Sequence, residues 1–161
     1  SGYTVKANAG TDGTDTLSNI ERLQFADGNV ALDSSGTSGQ AYRVYRAAFA
    51  REPDSAGVGY WMTKMDQGMS LQEVASGFIG SAEFRTLYGS NPGNASFVTK
   101  LYANVLGRAP DQGGYDWWLQ QMNSNGMSQA SVLSGFSESA ENQAAVAQLI
   151  GNGFSYTEWL G

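Results

Sequence analysis

The chain has 161 residues and a net charge of −6, only 15% of its residues are charged, and it contains neither cysteine nor histidine. The lack of cysteine excludes disulfides and zinc–thiolate sites, and the lack of histidine removes the commonest general base and transition-metal ligand of enzymes. The acidic balance, with no basic face, argues against nucleic acid as a partner, and no apolar segment reaches the roughly 20 residues that a membrane-spanning helix needs.

Residues 1–33 predict a small β segment. Apolar and polar residues alternate from Tyr3 onward, and two further apolar sets lie on either side of Asp27-Gly28, a dipeptide typical of hairpin turns. Residues 9–15, rich in glycine and aspartate, predict a loop. Because the chain begins inside the first predicted strand, we expect it to be a piece of a longer protein.

The pattern changes after the β segment. Residues 34–39, Ser-Ser-Gly-Thr-Ser-Gly, predict a flexible linker by their composition. From Gln40 the apolar residues recur with helical spacing, which predicts a helical domain over residues 40–161.

The helical region contains an internal repeat. Arg51-Glu52-Pro53-Asp54 recurs as Arg108-Ala109-Pro110-Asp111, an offset of 57 residues, and a glycine and a tryptophan follow at the same spacing in both copies. Such matches at proline, glycine and aromatic positions predict two homologous units, about residues 40–90 and 94–150, with about four helices in each. The expected fold is mainly α, with the two helical repeats in one bundle-like domain behind a small N-terminal β segment.

The shared motif, Arg-x-Pro-Asp-x-x-Gly-x-x-x-Trp, has two interpretations. In the first it is structural: the two aspartates cap the helices that follow, and the arginines pair with the aspartates or with helix carbonyls. In the second it binds a sugar or another ligand, because tryptophan offers a flat face and an Arg–Asp pair hydrogen-bonds hydroxyl groups. The residues of that candidate site are Arg51, Asp54, Trp61, Arg108, Asp111, Trp117 and Trp118.

The tryptophans of the motif are expected to differ in exposure. We expect Trp61 and Trp118 to point inward and to be buried. Neighbouring residues of a helix lie about 100° apart, so Trp117 and Trp118 cannot both face one core. Trp117, which aligns with Tyr60, is therefore expected to be the more exposed, either as a contact surface or in a second core layer.

Acidic residues of the β segment are the candidate metal ligands. Oxygen ligands on flexible loops suit Ca²⁺, and we expect any calcium site at Asp12, Asp15 and Asp27. The spacing is not that of an EF-hand, and no complete glycine-rich calcium nonapeptide occurs. The alternative is that these acids form turns and solvated strand edges.

Two parts of the chain resemble known families. Both repeats resemble the bacterial domain of unknown function 4214, through Tyr45…Phe49-x-Arg51-x-Pro53-Asp54-x-x-Gly57-x-x-x-Trp61 and the matching residues from Tyr102 to Gly114. Residues 15–28 are similar to the strand pair that closes calcium-binding β-roll (RTX-type) regions. The second resemblance implies an extracellular protein exported by type I secretion and bound to Ca²⁺, as in adhesins, surface-layer proteins and secreted hydrolases.

Three classes of function follow from these features. The leading hypothesis is a non-catalytic extracellular interaction module for adhesion, surface-layer attachment or assembly, with an extracellular protein or polysaccharide as partner. The alternatives are a carbohydrate-binding module that uses the Arg/Asp/Trp motif and an accessory domain of a secreted hydrolase. We expect no enzymatic activity, because no catalytic constellation is recognisable, and we expect no nucleic-acid binding and no insertion into a membrane.

Overall fold

The computed structural model of the chain describes residues 2–6 and 13–161. The strands of this part are β1 (Gly2–Lys6), β2 (Thr14–Ser18), β3 (Arg22–Phe25), β4 (Gly28–Ala31) and β5 (Phe154–Tyr156). Its helices are α1 (Thr37–Phe49), α2 (Ser55–Asp66), α3 (Leu71–Ile79), α4 (Ala82–Tyr88), α5 (Asn94–Leu106), α6 (Gln112–Ser124), α7 (Gln129–Ser137) and α8 (Ala140–Ile150). The mainly α fold with a small N-terminal β segment is confirmed.

The N-terminal strands form two antiparallel pairs. β1 pairs with β2, and β3 pairs with β4 in a hairpin that places Phe25 opposite Gly28. The predicted hairpin is therefore present, but its two-residue turn is Ala26-Asp27, and Gly28 is the first residue of β4. Of the expected loop over residues 9–15, residues 9–12 lie outside the described part of the chain, and the C-terminal end is wrong, because Thr14 and Asp15 lie in β2, paired with β1.

Each repeat consists of four helices, α1–α4 and α5–α8, whose ends follow local signals. Ser70 and Glu73 form the reciprocal capping box at the start of α3. Gly68 and Gly126 adopt positive φ just after α2 and α6, the conformation that glycine adopts most easily, and so redirect the chain.

Both repeats contribute to one hydrophobic core. Val44 of α1, Phe78 of α3, Leu101 of α5 and Phe136 of α7 are buried in the same cluster. Helices α3 and α7, which occupy equivalent places in the two repeats, pack against each other. The removal of each such side chain from water contributes about 1.5–3 kcal/mol to the stability of the fold. Because the two repeats bury these side chains together, each repeat stabilises the other.

The segment predicted as a flexible linker, residues 34–39, is ordered and partly helical. Helix α1 begins at Thr37, and Ser38 is fully buried. Asp33 explains the difference: its carboxylate accepts the Ser38 N–H at 3.0 Å, and its carbonyl accepts the N–H of Gly39 at 3.2 Å. The small polar residues of this segment allow close packing, and their backbone groups are hydrogen-bonded. Composition alone therefore predicted flexibility where the chain is ordered.

A third strand joins the hairpin from the far end of the chain. β5 pairs antiparallel with β4, with Phe154 opposite Ala31. The face of this sheet that carries both residues covers a second apolar cluster with Tyr42, Met62 and Ile150. The β3–β4 hairpin is therefore built into the helical domain.

A buried ion pair connects the two repeats. Arg43 of α1, whose side chain is only 5% exposed, donates two hydrogen bonds of 2.7 Å to the carboxylate of Glu138, which follows α7. A third donor nitrogen of Arg43 reaches the carbonyl of Ser34 at 2.7 Å. One side chain thus fixes the start of the domain against its second repeat.

Candidate functional site

The two copies of the motif lie in the turns between α1 and α2 and between α5 and α6. In the first turn the Asp54 carboxylate accepts the Gly57 N–H at 2.7 Å and the Tyr45 hydroxyl at 2.6 Å. Arg51 donates to both oxygens of Glu83, at 2.7 and 3.1 Å, and to the Tyr45 hydroxyl at 2.8 Å. The motif therefore ties the turn to α1 and to the first turn of α4.

The second turn repeats this construction with one difference. Asp111 accepts the Gly114 N–H at 2.8 Å, and Arg108 donates to both oxygens of Glu141 at 2.9 Å each. Arg108 also lies 3.4 Å from Asp111, as Arg51 lies 3.7 Å from Asp54; the difference is the hydrogen bond from the Tyr45 hydroxyl, which only Asp54 accepts. The expected capping role of both aspartates is confirmed. The expected contacts of the arginines with the aspartates are present, but their shorter bonds go to Glu83 and Glu141, which were missed although Ser-x-Glu is repeated at those positions.

Hydrogen bonds set the ionisation of the motif. The Tyr45 hydroxyl and then the Gly57 N–H lower the pKa of Asp54, and the Gly114 N–H does so for Asp111. Burial, followed by the hydrogen bond to Asp54, raises the pKa of Tyr45 to about 12. Both carboxylates are therefore charged at neutral pH, whereas a general acid or base works best with a pKa near the working pH.

The motif tryptophans pack against the core, as expected, but they are only partly buried, so the expected full burial is wrong. The ring of each lies over a glycine of the next helix: a Cβ atom at Gly77 would come within 2.7 Å of Trp61, and one at Gly135 within 2.8 Å of Trp118. Each ring also contacts the phenylalanine that follows that glycine. Each indole is thus packed against the next helix of its own repeat and stays partly accessible to water.

Trp117 is the exposed aromatic residue of the second repeat, as expected, with 49% of its surface accessible. Its ring lies edge-on to Trp118, with the ring centroids 4.6 Å apart. The equivalent residue of the first repeat, Tyr60, instead contacts Trp159 in the C-terminal segment, at 5.2 Å between centroids. The repeats are therefore alike inside and different at this surface.

The candidate calcium ligands are separated in the structure. Asp12 lies outside the described residues. Asp15 is exposed on β2 of one sheet, and Asp27 lies in the hairpin turn of the other. Among the residues that the structure describes, no three acidic side chains come together as a metal-binding group.

A further polar cavity lies outside the motif, beside the hairpin turn. It has a volume of about 360 Å³. Phe25, Asp27 and Asn29 contribute to its wall, as do Ser55 at the start of α2 and Thr157 after β5. Apart from Asp27, sequence reasoning missed these residues. The alternation Phe154-Ser155-Tyr156 was the available signal for β5, the strand that brings the wall together.

Comparison with known proteins identifies the helical part. The family model for "Domain of unknown function (DUF4214)" matches the chain twice, at residues 37–87 and 75–146. No curated protein and no solved structure matches the chain. No helix in the described part of the chain has the length and apolarity needed to cross a membrane. Since the two family matches together span more than half of the chain, the protein belongs to the DUF4214 family, with two copies in tandem.

Proposed function

We propose that the chain is a non-catalytic interaction module of a secreted bacterial protein, serving adhesion, surface-layer attachment or assembly. The proposal rests on one observation: the arginines and aspartates of the motif are used in contacts with other residues of the fold. Both arginines are paired with glutamates of the same repeat, and both aspartates hold helix N–H groups. The polar side chains best suited to chemistry are therefore occupied in stabilising helices.

The remaining surface suits binding. Few of its groups are charged, and large apolar side chains such as Trp117 and Phe25 are partly exposed. Aromatic residues are enriched where proteins bind partners. An extracellular protein or a polysaccharide fits this surface better than a polyanion, because the chain carries a net charge of −6.

The extracellular setting is supported by the similarity of residues 15–28 to the strands that close RTX-type regions. In such a protein the module would leave the cell by type I secretion and meet Ca²⁺ outside. Asp12, Asp15 and Asp27 are the acidic residues of this segment that would contact Ca²⁺ ions.

Binding of the purified, fluorescently labelled chain to isolated bacterial envelopes tests the proposal. We expect saturable binding that an unrelated protein of the same net charge does not show. Pretreatment of the envelopes with protease removes a protein partner, whereas periodate, which cleaves the diols of sugars, removes a polysaccharide partner. Envelopes of several species that bind no more chain than the control protein would contradict the proposal.

A second candidate, carbohydrate binding through the repeated motif, is favoured by one observation. Trp117 and Trp118 together offer an aromatic surface at one end of the second motif. The variant Trp117→Ala tests it, since it removes an exposed ring and leaves the core intact. Loss of periodate-sensitive binding in this variant supports the candidate, and unchanged binding contradicts it.

A further inference from the structure

The cavity beside the hairpin turn has the size of a small-molecule site. Its volume of about 360 Å³ lies at the lower end of the ~300–1,000 Å³ usual for such sites, so it fits one small ring. Its wall combines an aromatic ring, a carboxylate, an amide and several hydroxyl groups. These come from Phe25, Asp27, Asn29, Ser55, Ser155 and Thr157.

Three elements hold this wall in place. Phe25, with 44% of its surface accessible, and Asn29 are fixed by the β3–β4–β5 ladder, where Asn29 lies opposite Tyr156. Thr157 is attached to the first turn of α2: its N–H donates to the Ser55 carbonyl at 3.0 Å, and the two hydroxyl groups are 3.2 Å apart. The polar groups therefore come from regular elements and their junctions.

We propose that this cavity binds a neutral sugar unit. A sugar ring has an apolar C–H face, which the exposed ring of Phe25 can cover, and a rim of hydroxyl groups that both donate and accept hydrogen bonds. The Asp27 carboxylate accepts, while the serine and threonine hydroxyls can do both. A few polar groups around an apolar contact are the usual composition of a ligand site.

The charge of the wall selects among sugars. Asp27 is a carboxylate, and no lysine or arginine belongs to the wall. An acidic sugar would bring a second negative charge beside Asp27, and like charges in close contact are unfavourable. The ligand is therefore a neutral hexose or N-acetylhexosamine, free or at the end of a chain. This inference rests on the proposed function, since it names a ligand for the interaction module.

Gly28 allows the cavity to be filled without damage to the hairpin. It belongs to the wall, a Cβ atom there meets no other atom within 4 Å, and its φ is not positive. The variant Gly28→Leu therefore puts a side chain into open space at the cavity. Leu149→Ala is the control for Phe25→Ala, because both residues are exposed apolar side chains and only Phe25 contributes to the wall.

The test uses saturation-transfer NMR and titration with glucose, galactose, mannose and N-acetylglucosamine, and with glucuronate as the acidic control. We expect at least one neutral sugar to bind in the millimolar range and glucuronate not to bind. Phe25→Ala, Asp27→Ala and Gly28→Leu are each expected to weaken binding at least about tenfold, with unchanged circular dichroism. Leu149→Ala is expected to bind as the wild type does.

The outcomes separate this inference from the proposed function. If the wild type binds none of the four neutral sugars but still binds envelopes, the sugar inference is wrong and the interaction module stands. If sugar binding is lost in Trp117→Ala and kept in Phe25→Ala and Gly28→Leu, the cavity is not the site. If the wild type binds neither sugars nor envelopes, the proposed function fails as well.

Discussion

At the scale of single residues, the motif shows how one side chain can hold several elements. Asp54 caps α2 through the Gly57 N–H and also accepts the Tyr45 hydroxyl, whereas Asp111 caps α6 and contacts Arg108 at 3.4 Å. The two aspartates thus have the same capping role, and only Asp54 also has the short hydrogen bond to a tyrosine. Their substitution is expected to show this difference.

We expect Asp54→Ala and Asp111→Ala each to lower the free energy of unfolding by about 1 kcal/mol, the usual contribution of a helix N-cap. Asp54→Ala is expected to cost more, because the Tyr45 hydroxyl loses its acceptor. Urea denaturation at pH 7 measures both values. Tyr45→Phe is the control, since it removes the hydroxyl and leaves the cap; equal values for the two alanine variants would contradict the role given to Tyr45.

The same caps are expected to weaken in acid. The pKa of Asp54 and that of Asp111 are lowered in the folded state, so each carboxylate stabilises the fold above its unfolded pKa of about 3.9. This contribution is lost as the pH falls through the lower, folded pKa. The difference in stability between wild type and Asp54→Ala is therefore full at pH 7 and shrinks below about pH 4, as urea denaturation at both ends of this range will show.

At the scale of elements, the contact between α2 and the C-terminal segment distinguishes the two repeats. A Cβ atom at Gly59 would lie 1.8 Å from the carbonyl oxygen of Thr157. Trp159 then packs edge-on against Tyr60, and the Lys64 ammonium lies 4.3 Å from the centre of the Trp159 ring. In the second repeat Asp116 occupies the position of Gly59, so α6 cannot accept a chain segment in the same way.

Gly59→Ala is therefore expected to detach β5 and the residues after it. Alanine favours the helix by about 1 kcal/mol, but its overlap with the Thr157 backbone outweighs this gain, and we expect a net loss of about 1–3 kcal/mol. Faster hydrogen exchange in residues 154–157 and a lower urea midpoint measure the effect.

Gly113→Ala is the matched control for that substitution. A Cβ atom at Gly113 meets only Asp111, at an ordinary distance of 3.7 Å, so we expect unchanged or slightly higher stability. A Gly59→Ala variant that gains stability as Gly113→Ala does would show that the C-terminal segment does not depend on close approach to α2.

At the scale of the whole molecule, the two repeats share one core and one buried ion pair. Phe78 and Phe136 are buried in the same cluster, and Arg43 connects α1 to Glu138 of the other repeat. Neither repeat can lose its structure without exposing apolar surface of the other. We therefore expect one cooperative unfolding transition, with coincident curves from tryptophan fluorescence and far-ultraviolet circular dichroism.

Arg43→Ala is expected to move that single transition as a whole. Removal of one partner leaves Glu138 charged and partly buried, which costs about 3 kcal/mol, the lower end of the usual range, since Glu138 keeps some contact with water. Arg85→Ala is the control: Arg85 is exposed and contacts only nearby carbonyls, so a change below about 0.5 kcal/mol is expected. Two separate transitions in either protein would contradict the shared core.

The sequence by itself determined the features that depend on neighbours a few residues apart. The repeat at an offset of 57 residues and the two Asp caps were predicted and are present. A cap needs only the correct side chain two or three residues before an N–H group, so its signal is complete within one turn of helix. The hairpin around Asp27 also depends only on residues that are close in the sequence.

Only the tertiary structure decided the features that join distant segments. Ala31 lies opposite Phe154 in the sheet, and Asp33 accepts a hydrogen bond at the start of α1, where a linker was expected. Gly77 lets the ring of Trp61 pack closely against its helix. The cavity wall likewise joins residues near 27 with Ser55 and Thr157. Three residues of alternating polarity at the end of the chain do not say which strand they will pair with. That choice depends on the apolar area that the assembled sheet and helices bury together, which no local pattern encodes.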